Sequence, residues 1–290
     1  MSEYNGTGSG AWAESWTHLR VDRRSPSHCR VTFDHPPINT ITATTVVELA
    51  ELVGLIEGDA DLNVVVFDSA NSDFYLAHYD VEHDPGRTAA LGVGPTGMHA
   101  WVDLLVRLSR APVVSIASIR GRARGAGSEF VLACDLRFAS RENTLLGQFE
   151  VGAGVVPGGG PMARLSRLIG RGRALEILLV ADDVDGPRAE QYGYVNRVIA
   201  DDRLDEEVDQ MASRLARFDH DAITRTKSYV DRVTLPPDSE FPPALADFFE
   251  MLGRPEQQAQ SARLEALGLN VDSDLERSLG RRVVEALPDA

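Results

Sequence analysis

Two cysteines in 290 residues, Cys29 and Cys134, are too few for a disulfide framework and too far apart for a spaced metal site. Both lie in apolar stretches and are expected to be buried free thiols. No apolar run approaches the ~20 residues needed to cross a bilayer, so a membrane-spanning role is not expected. Residues Met1 to Gly10 are polar and rich in Gly and Ser rather than basic and then apolar. They resemble no secretory signal, and residues 1–15 are expected to form a disordered leader of a cytoplasmic protein. Basic residues are also short: 29 Lys and Arg against 44 Asp and Glu give a formal charge of -15. A nucleic-acid partner is thereby disfavoured, because binding a polyanion depends on neutralising its phosphates. The seven histidines show no metal-ligand spacing, so no metal is expected, and neither a phosphate-binding loop ending in Lys-Ser/Thr nor a Gly-x-Ser-x-Gly nucleophile turn occurs. Gly92-Val93-Gly94-Pro95-Thr96-Gly97 has the glycine spacing of a dinucleotide-binding turn, but it follows no strand and contains a proline, so it reads as a loop.

What is present is an ordinary globular composition, 43% apolar and 25% charged. Short alternating runs at His18 to Val21 and Cys29 to Phe33 flank Arg24-Ser25-Pro26-Ser27 and predict a hairpin. An apolar stripe from Thr44 to Ile56 predicts a helix, and Asn63 to Phe67 a buried strand. The alternation continues with a helix over Gly97 to Ser109, a strand over Pro112 to Ser118, a short helix over Ser128 to Ala133 and a strand over Leu136 to Ala139. This is an α/β pattern. After Pro157-Gly158-Gly159-Gly160 the chain turns almost wholly helical: Pro161 to Ile169, Arg173 to Val180, Asp205 to Phe218, Asp221 to Val233, Ala244 to Leu252 and Pro255 to Leu267. The expected division is a core over 16–205 and a helical region over 206–290 that packs on it or on another subunit.

The chemistry concentrates at Gly121-Arg122-Ala123-Arg124-Gly125-Ala126-Gly127-Ser128-Glu129, which follows the apolar run Pro112 to Ala117, and at Glu150 shortly after. Glycines let a backbone approach a ligand, and the unsatisfied N–H groups at a helix start favour negative charge. Two carboxyl groups beside such a site can divide acid and base roles if their surroundings separate their pKa values. Trp101 and Phe130 lie on apolar helical faces and read as core.

In order along the chain stand His35-Pro36-Pro37-Ile38-Asn39, Phe74 to Asp80, Gly125-Ala126-Gly127-Ser128-Glu129, Glu150, Pro157-Gly158-Gly159-Gly160 and Gly193-Tyr194-Val195-Asn196-Arg197-Val198. Together they resemble the crotonase superfamily, the enoyl-CoA hydratase/isomerase family, over roughly residues 30 to 235. The resemblance implies an α/β spiral of repeated strand-strand-helix units and a helical C-terminal region that builds trimers or dimers of trimers. It also implies binding of an acyl-CoA thioester, as in fatty acid metabolism, with coenzyme A part of the substrate and no separate cofactor. By position, the N–H groups of Tyr79 and Ala126 would form an oxyanion hole. Glu129 and Glu150 would be catalytic, and Ala77, His78, Asp80, Gly125, Gly127, Pro157 and Gly158 would contact substrate.

Three positions depart from the family pattern. His78 and Tyr79 replace small residues in the first oxyanion loop. Ala126 replaces a glycine and would be strained if its φ had to be positive, by about 1–2 kcal/mol. A basic C-terminal segment for the nucleotide end of coenzyme A is not apparent; Arg120, Arg122 and Arg124 alternate, and extended backbone would place them on one solvated face. The leading expectation is hydration or dehydration of an enoyl-CoA. The alternatives are double-bond isomerisation with one glutamate, cleavage of a β-dicarbonyl without coenzyme A using His78, and a scaffold working through its helical tail.

Overall fold

The computed structural model describes residue 12, residues 16–81 and residues 85–287. The leader expected over residues 1–15 lies outside these apart from Trp12. The hairpin forms as β1 (Leu19–Ser25) and β2 (His28–Phe33), paired antiparallel. Helix α1 (Ala43–Gly58) starts at a reciprocal cap: the Thr42 hydroxyl accepts from the Thr45 amide, and the Thr45 hydroxyl accepts from the Thr42 amide. Strand β3 (Val64–Ser69), β4 (Phe74–Leu76), helices α2 (Pro85–Ala90) and α3 (Ala100–Arg110), β5 (Val114–Ile119), β6 (Arg122–Arg124) and α4 (Ala126–Ala133) follow. The core closes with β7 (Leu136–Ser140), β8 (Leu145–Gly147), α5 (Pro161–Ile169), α6 (Arg171–Val180), β9 (Val184–Asp185), α7 (Gly186–Tyr192) and β10 (Arg197–Ile199).

Two sheets result. The first has the order β1-β2-β3-β5-β7-β10, parallel beyond the opening hairpin; the second has the order β4-β6-β8-β9, parallel except for β9. The continuous apolar run of β3 is explained by burial on both faces. Val65 and Phe67 join the main core with Phe33, Tyr75 and Phe130, while Val64 and Val66 meet Leu204, Val208 and Ala212 on the other side. Phe130 stands edge-on to Phe33 and Phe67 at centroid distances of 5.2 and 5.1 Å. Its truncation to alanine costs about 3–5 kcal/mol. Cys29 and Cys134 are buried free thiols, and burial pushes the Cys29 thiol up to about 12. The 92–97 segment is a loop, closed by hydrogen bonds from the Gly94 amide to the Met98 carbonyl and from Thr96 to the Asp103 carboxylate.

The helical region comprises α8 (Leu204–Leu215), α9 (His220–Thr234), α10 (Pro242–Leu252), α11 (Pro255–Ala266) and two short turns, α12 (Asp274–Arg277) and α13 (Leu279–Arg282). Its first member seals the outer face of the large sheet. Helices α10 and α11 contribute to the wall of the site described next, and α12 and α13 carry no pattern that marks them in the sequence.

Candidate active site

The second sheet positions the site. Strands β4, β6 and β8 are adjacent and parallel, and the segments leaving their carboxyl ends carry residues 77–80, 125–129 and 148–150. Loops at the carboxyl ends of parallel strands open to one side, which brings these three stretches together. The Arg124 amide donates to the Ala77 carbonyl and the Gly125 amide to the Gly147 carbonyl, both at 3.0 Å, so the pairing persists to the point of divergence.

A cavity of about 120 Å³ lies at this junction, walled by Tyr79, Ala126, Glu129, Glu150 and Trp101 from the core and by Leu245, Phe248 and Leu252 from α10. A larger groove, about 760 Å³, runs between α9 and the end of α4; neither carboxylate lines it, so its size does not make it the reactive site.

Glu129 is 3% exposed. The Trp101 Nε1–H donates to its Oε2 and the Gly159 amide to its Oε1, each at 2.7 Å. Gly159 is obligatory in this geometry, since a Cβ there would fall 2.0 Å from Oε2. Burial raises the Glu129 carboxyl, while the two hydrogen bonds and the Arg164 charge oppose the rise. Glu150 is 7% exposed. Burial, then the charge of Glu129, holds its carboxyl well above the ordinary carboxylate range. Gly125 presses against it, a Cβ there lying 2.8 Å from Oε1. With its amide oriented to satisfy its neighbours, Gln148 donates to both Glu150 oxygens at 3.2 and 3.1 Å and accepts from the Ser128 hydroxyl at 3.0 Å; Ser128 in turn bonds the Tyr194 hydroxyl. Two buried carboxyls thus face one cavity in different surroundings.

The oxyanion candidates are on the same wall. The Ile41 amide donates to the His78 carbonyl and the Asp80 amide to the Ile41 carbonyl, the pattern of a parallel bridge in which Tyr79's own amide faces the opposite edge. Ala126 is the first residue of α4, where an amide has no acceptor within the helix. The strain conditional on Ala126 does not arise, because the left-handed φ of 50° falls on Gly125.

Of the residues expected to contact substrate, His78, Gly125 and Gly158 line the cavity. Ala77, Asp80, Gly127 and Pro157 stand behind its wall: Ala77 and Asp80 hold the loop through backbone bonds, and Gly127 lets α4 approach β4, where a Cβ would lie 2.1 Å from the Leu76 carbonyl oxygen. Neither carboxylate is the solvated or merely capping group that a local reading allows. His78 is 2% exposed, packs against Phe149 and has its Nε2 2.7 Å from Glu276 Oε1. The three arginines do not form a solvated face. Arg120 pairs with Asp201 and Asp205, Arg122 donates to the Arg277 and Asp73 carbonyls, and Arg124, 1% exposed, holds Asp183 through two bonds of 2.6 and 2.7 Å. Gly121, with φ of 79°, breaks the extended run that would have aligned them.

Trp101 belongs to the core and also donates to Glu129; its position 28 residues earlier leaves no local signal for that contact. The α10 and α11 residues on the far wall were likewise legible only as amphipathic helix.

Comparison with known proteins agrees with this architecture. The enoyl-CoA hydratase/isomerase family model matches residues 23–259. A short-chain-enoyl-CoA hydratase of Clostridium acetobutylicum is 30% identical over 205 residues, covering 70% of this chain and 77% of that protein. A crotonyl-CoA hydratase of Syntrophomonas wolfei is 31% identical over 180 residues, 61% and 67% of the two chains. The crystal structure of a candidate enoyl-CoA hydratase from Streptomyces avermitilis superposes with a TM-score of 0.89 at 40% identity, covering 95% of this chain and 99% of that one. With two sheets, a helical C-terminal region and paired buried glutamates in the matching order, the chain belongs to the enoyl-CoA hydratase/isomerase family.

Proposed function

We propose that this protein is an enoyl-CoA hydratase, a hydro-lyase that adds water across a double bond conjugated to a thioester, or removes it. The observation that carries this reading is the pair of buried carboxyls in distinct surroundings on one cavity wall, beside the amides of Tyr79 and Ala126. Glu129, with two N–H donors favouring its ionised form, acts as base. It takes a proton from water as the water oxygen bonds to the β-carbon. The displaced electron pair moves to the thioester oxygen, where the two amides stabilise the enolate. Glu150, kept protonated by burial beside Glu129, then gives its proton to the α-carbon as the carbonyl re-forms. The two groups end with exchanged protonation, and proton exchange with water resets them.

The cavity is smaller than the roughly 150 Å³ apolar space that accommodates one benzene, which favours an acyl group of a few carbons. Cleavage of a β-dicarbonyl by His78 has less support, because both its ring nitrogens are already engaged by Glu276 and the Tyr79 carbonyl. The isomerase reading would leave one of two buried carboxyls without a task. Assembly into trimers or dimers of trimers fits α9, which buries no side chain and exposes Tyr229, Val230 and Val233. No helix among the described residues is long and apolar enough to cross a membrane; a cytoplasmic site is part of the proposal.

The test is loss of the conjugated-enoyl absorbance with short enoyl-CoA thioesters, run beside Glu129→Gln and Glu150→Gln. Turnover abolished by each change is expected. Full activity in either variant overturns the two-carboxylate mechanism.

A further inference from the structure

His78 and Glu276 are 198 residues apart in sequence, yet meet in a fully enclosed site. His78 Nδ1 is 3.2 Å from the Tyr79 carbonyl oxygen and Nε2 is 2.7 Å from Glu276 Oε1. A carbonyl oxygen and a carboxylate oxygen flank the ring, a setting that favours the doubly protonated imidazolium with a donor at each nitrogen. Glu276 Oε1 also accepts from the Asn270 amide at 2.8 Å, while Oε2 has no hydrogen-bond partner among the described residues. Its charge is therefore balanced at short range by His78. The Arg124 guanidinium, bound to Asp183, donates to the Glu276 carbonyl at 2.7 Å.

His78, Arg124 and Glu276 join three parts of the fold. His78 immediately precedes Tyr79, Arg124 precedes Ala126 by two residues, and Glu276 belongs to α12. The C-terminal segment is thus tied by buried charge to both loops that carry the oxyanion candidates. We propose that Glu276 and His78 are a positioning pair through which the docked C-terminal segment holds the Tyr79 amide in place for the thioester oxygen. The proposal rests on the hydratase reading for its chemistry, and on the structure alone for the coupling between tail and loop.

Titration agrees in sign. Burial pushes His78 down, but the charge and hydrogen bond of Glu276 and the Tyr79 carbonyl outweigh it, holding the imidazole above 6.5; Arg124 opposes. Burial pushes Glu276 up, but His78, the Asn270 amide and Arg124 outweigh it, holding it below 4.5. The pair is therefore complete near neutrality. It is lost as pH rises through the elevated His78 value, and separately as pH falls through the depressed Glu276 value. The charged side chain acting on both members is Arg124, which is itself bound to Asp183.

The experiment uses the full chain with Glu276→Gln, which keeps the shape and removes the charge, and Glu276→Asp, which keeps the charge on a shorter stem. In Glu276→Gln, kcat falls by about tenfold or more, short of the ~10²–10³ for loss of an oxyanion donor. KM changes by less than about twofold, the sign of an interaction that acts after binding. The alkaline limb of kcat moves to lower pH, and Glu276→Asp restores part of the rate. Amide exchange quickens at residues 76–81 and not in β3 or β5. An unchanged rate with unchanged exchange at 76–81 overturns the proposal, as does exchange that quickens equally throughout, which marks a merely structural role. If the wild-type chain hydrates no enoyl thioester, the functional reading fails, and exchange at 76–81 alone then decides the coupling.

Discussion

The two walls of the cavity are built differently. The core wall is made of strand ends, glycines and buried charges: Glu129, Glu150 and Gly159 sit within hydrogen-bond or van der Waals reach of fixed partners, and a single added methyl would collide. The opposite wall is made of α10 and α11, where Leu245, Phe248 and Leu252 face the cavity and α10 has no fully buried residue. One wall is over-determined and the other is pliable. Chemistry is placed where geometry cannot drift, and shape where side chains can be exchanged without disturbing it.

Isosteric change on the core wall should have the largest effect. Glu129→Gln or Glu150→Gln is expected to lower kcat by about 10²–10⁴-fold with the fold intact, measured by enoyl hydration and thermal melting. Gly159→Ala should follow, at about 10²-fold, because its methyl displaces the Glu129 carboxylate by ångströms; native melting with full activity would show that the wall can give. Phe248→Ala on the pliable wall should leave kcat for the shortest substrate little changed and raise the relative kcat/KM for longer acyl chains by about tenfold or more. An equal loss across all chain lengths would show that α10 takes part in the chemistry and erase the contrast.

The smallest effect concerns stability. A carboxyl held above 4.5 in the fold, as Glu150 is, binds its proton more tightly folded than unfolded. Stability is therefore lost as pH rises from about the unfolded value to the folded one, at about 1.4 kcal/mol per pH unit, and stays lost above. Glu150→Gln removes that penalty. Its melting temperature should exceed the wild type's at pH 7 and match it at pH 4, so a variant no more stable at neutrality would show that Glu150 is not held protonated.

Most of the first sheet was readable, because its strands carry long apolar runs and its helices a clear stripe. The hairpin, α1, β3, β5 and β7 fall within a few residues of their expected places. The second sheet was not. Strands β4, β6 and β8 have three residues each, too few to show an alternating period, and β6 is Arg-Ala-Arg, whose charges satisfy themselves by tertiary partners. The tail was equally opaque: α12 reads Asp-Leu-Glu-Arg, a solvated turn by composition, yet Glu276 is fully buried.

By itself the sequence determined the α/β class, the order of the first sheet's strands and their helices, the glycine turn before α4 and the two carboxylates, since hydrophobic period and glycine's backbone freedom are local properties. Which charges would be buried, and with what partners, was decided only by the tertiary structure. Trp101 meets Glu129, Arg124 meets Asp183 and His78 meets Glu276 over separations of 28, 59 and 198 residues. The physical reason is that a charge leaves water only where distant segments together supply its counter-charge and donors, a condition no local stretch of chain contains.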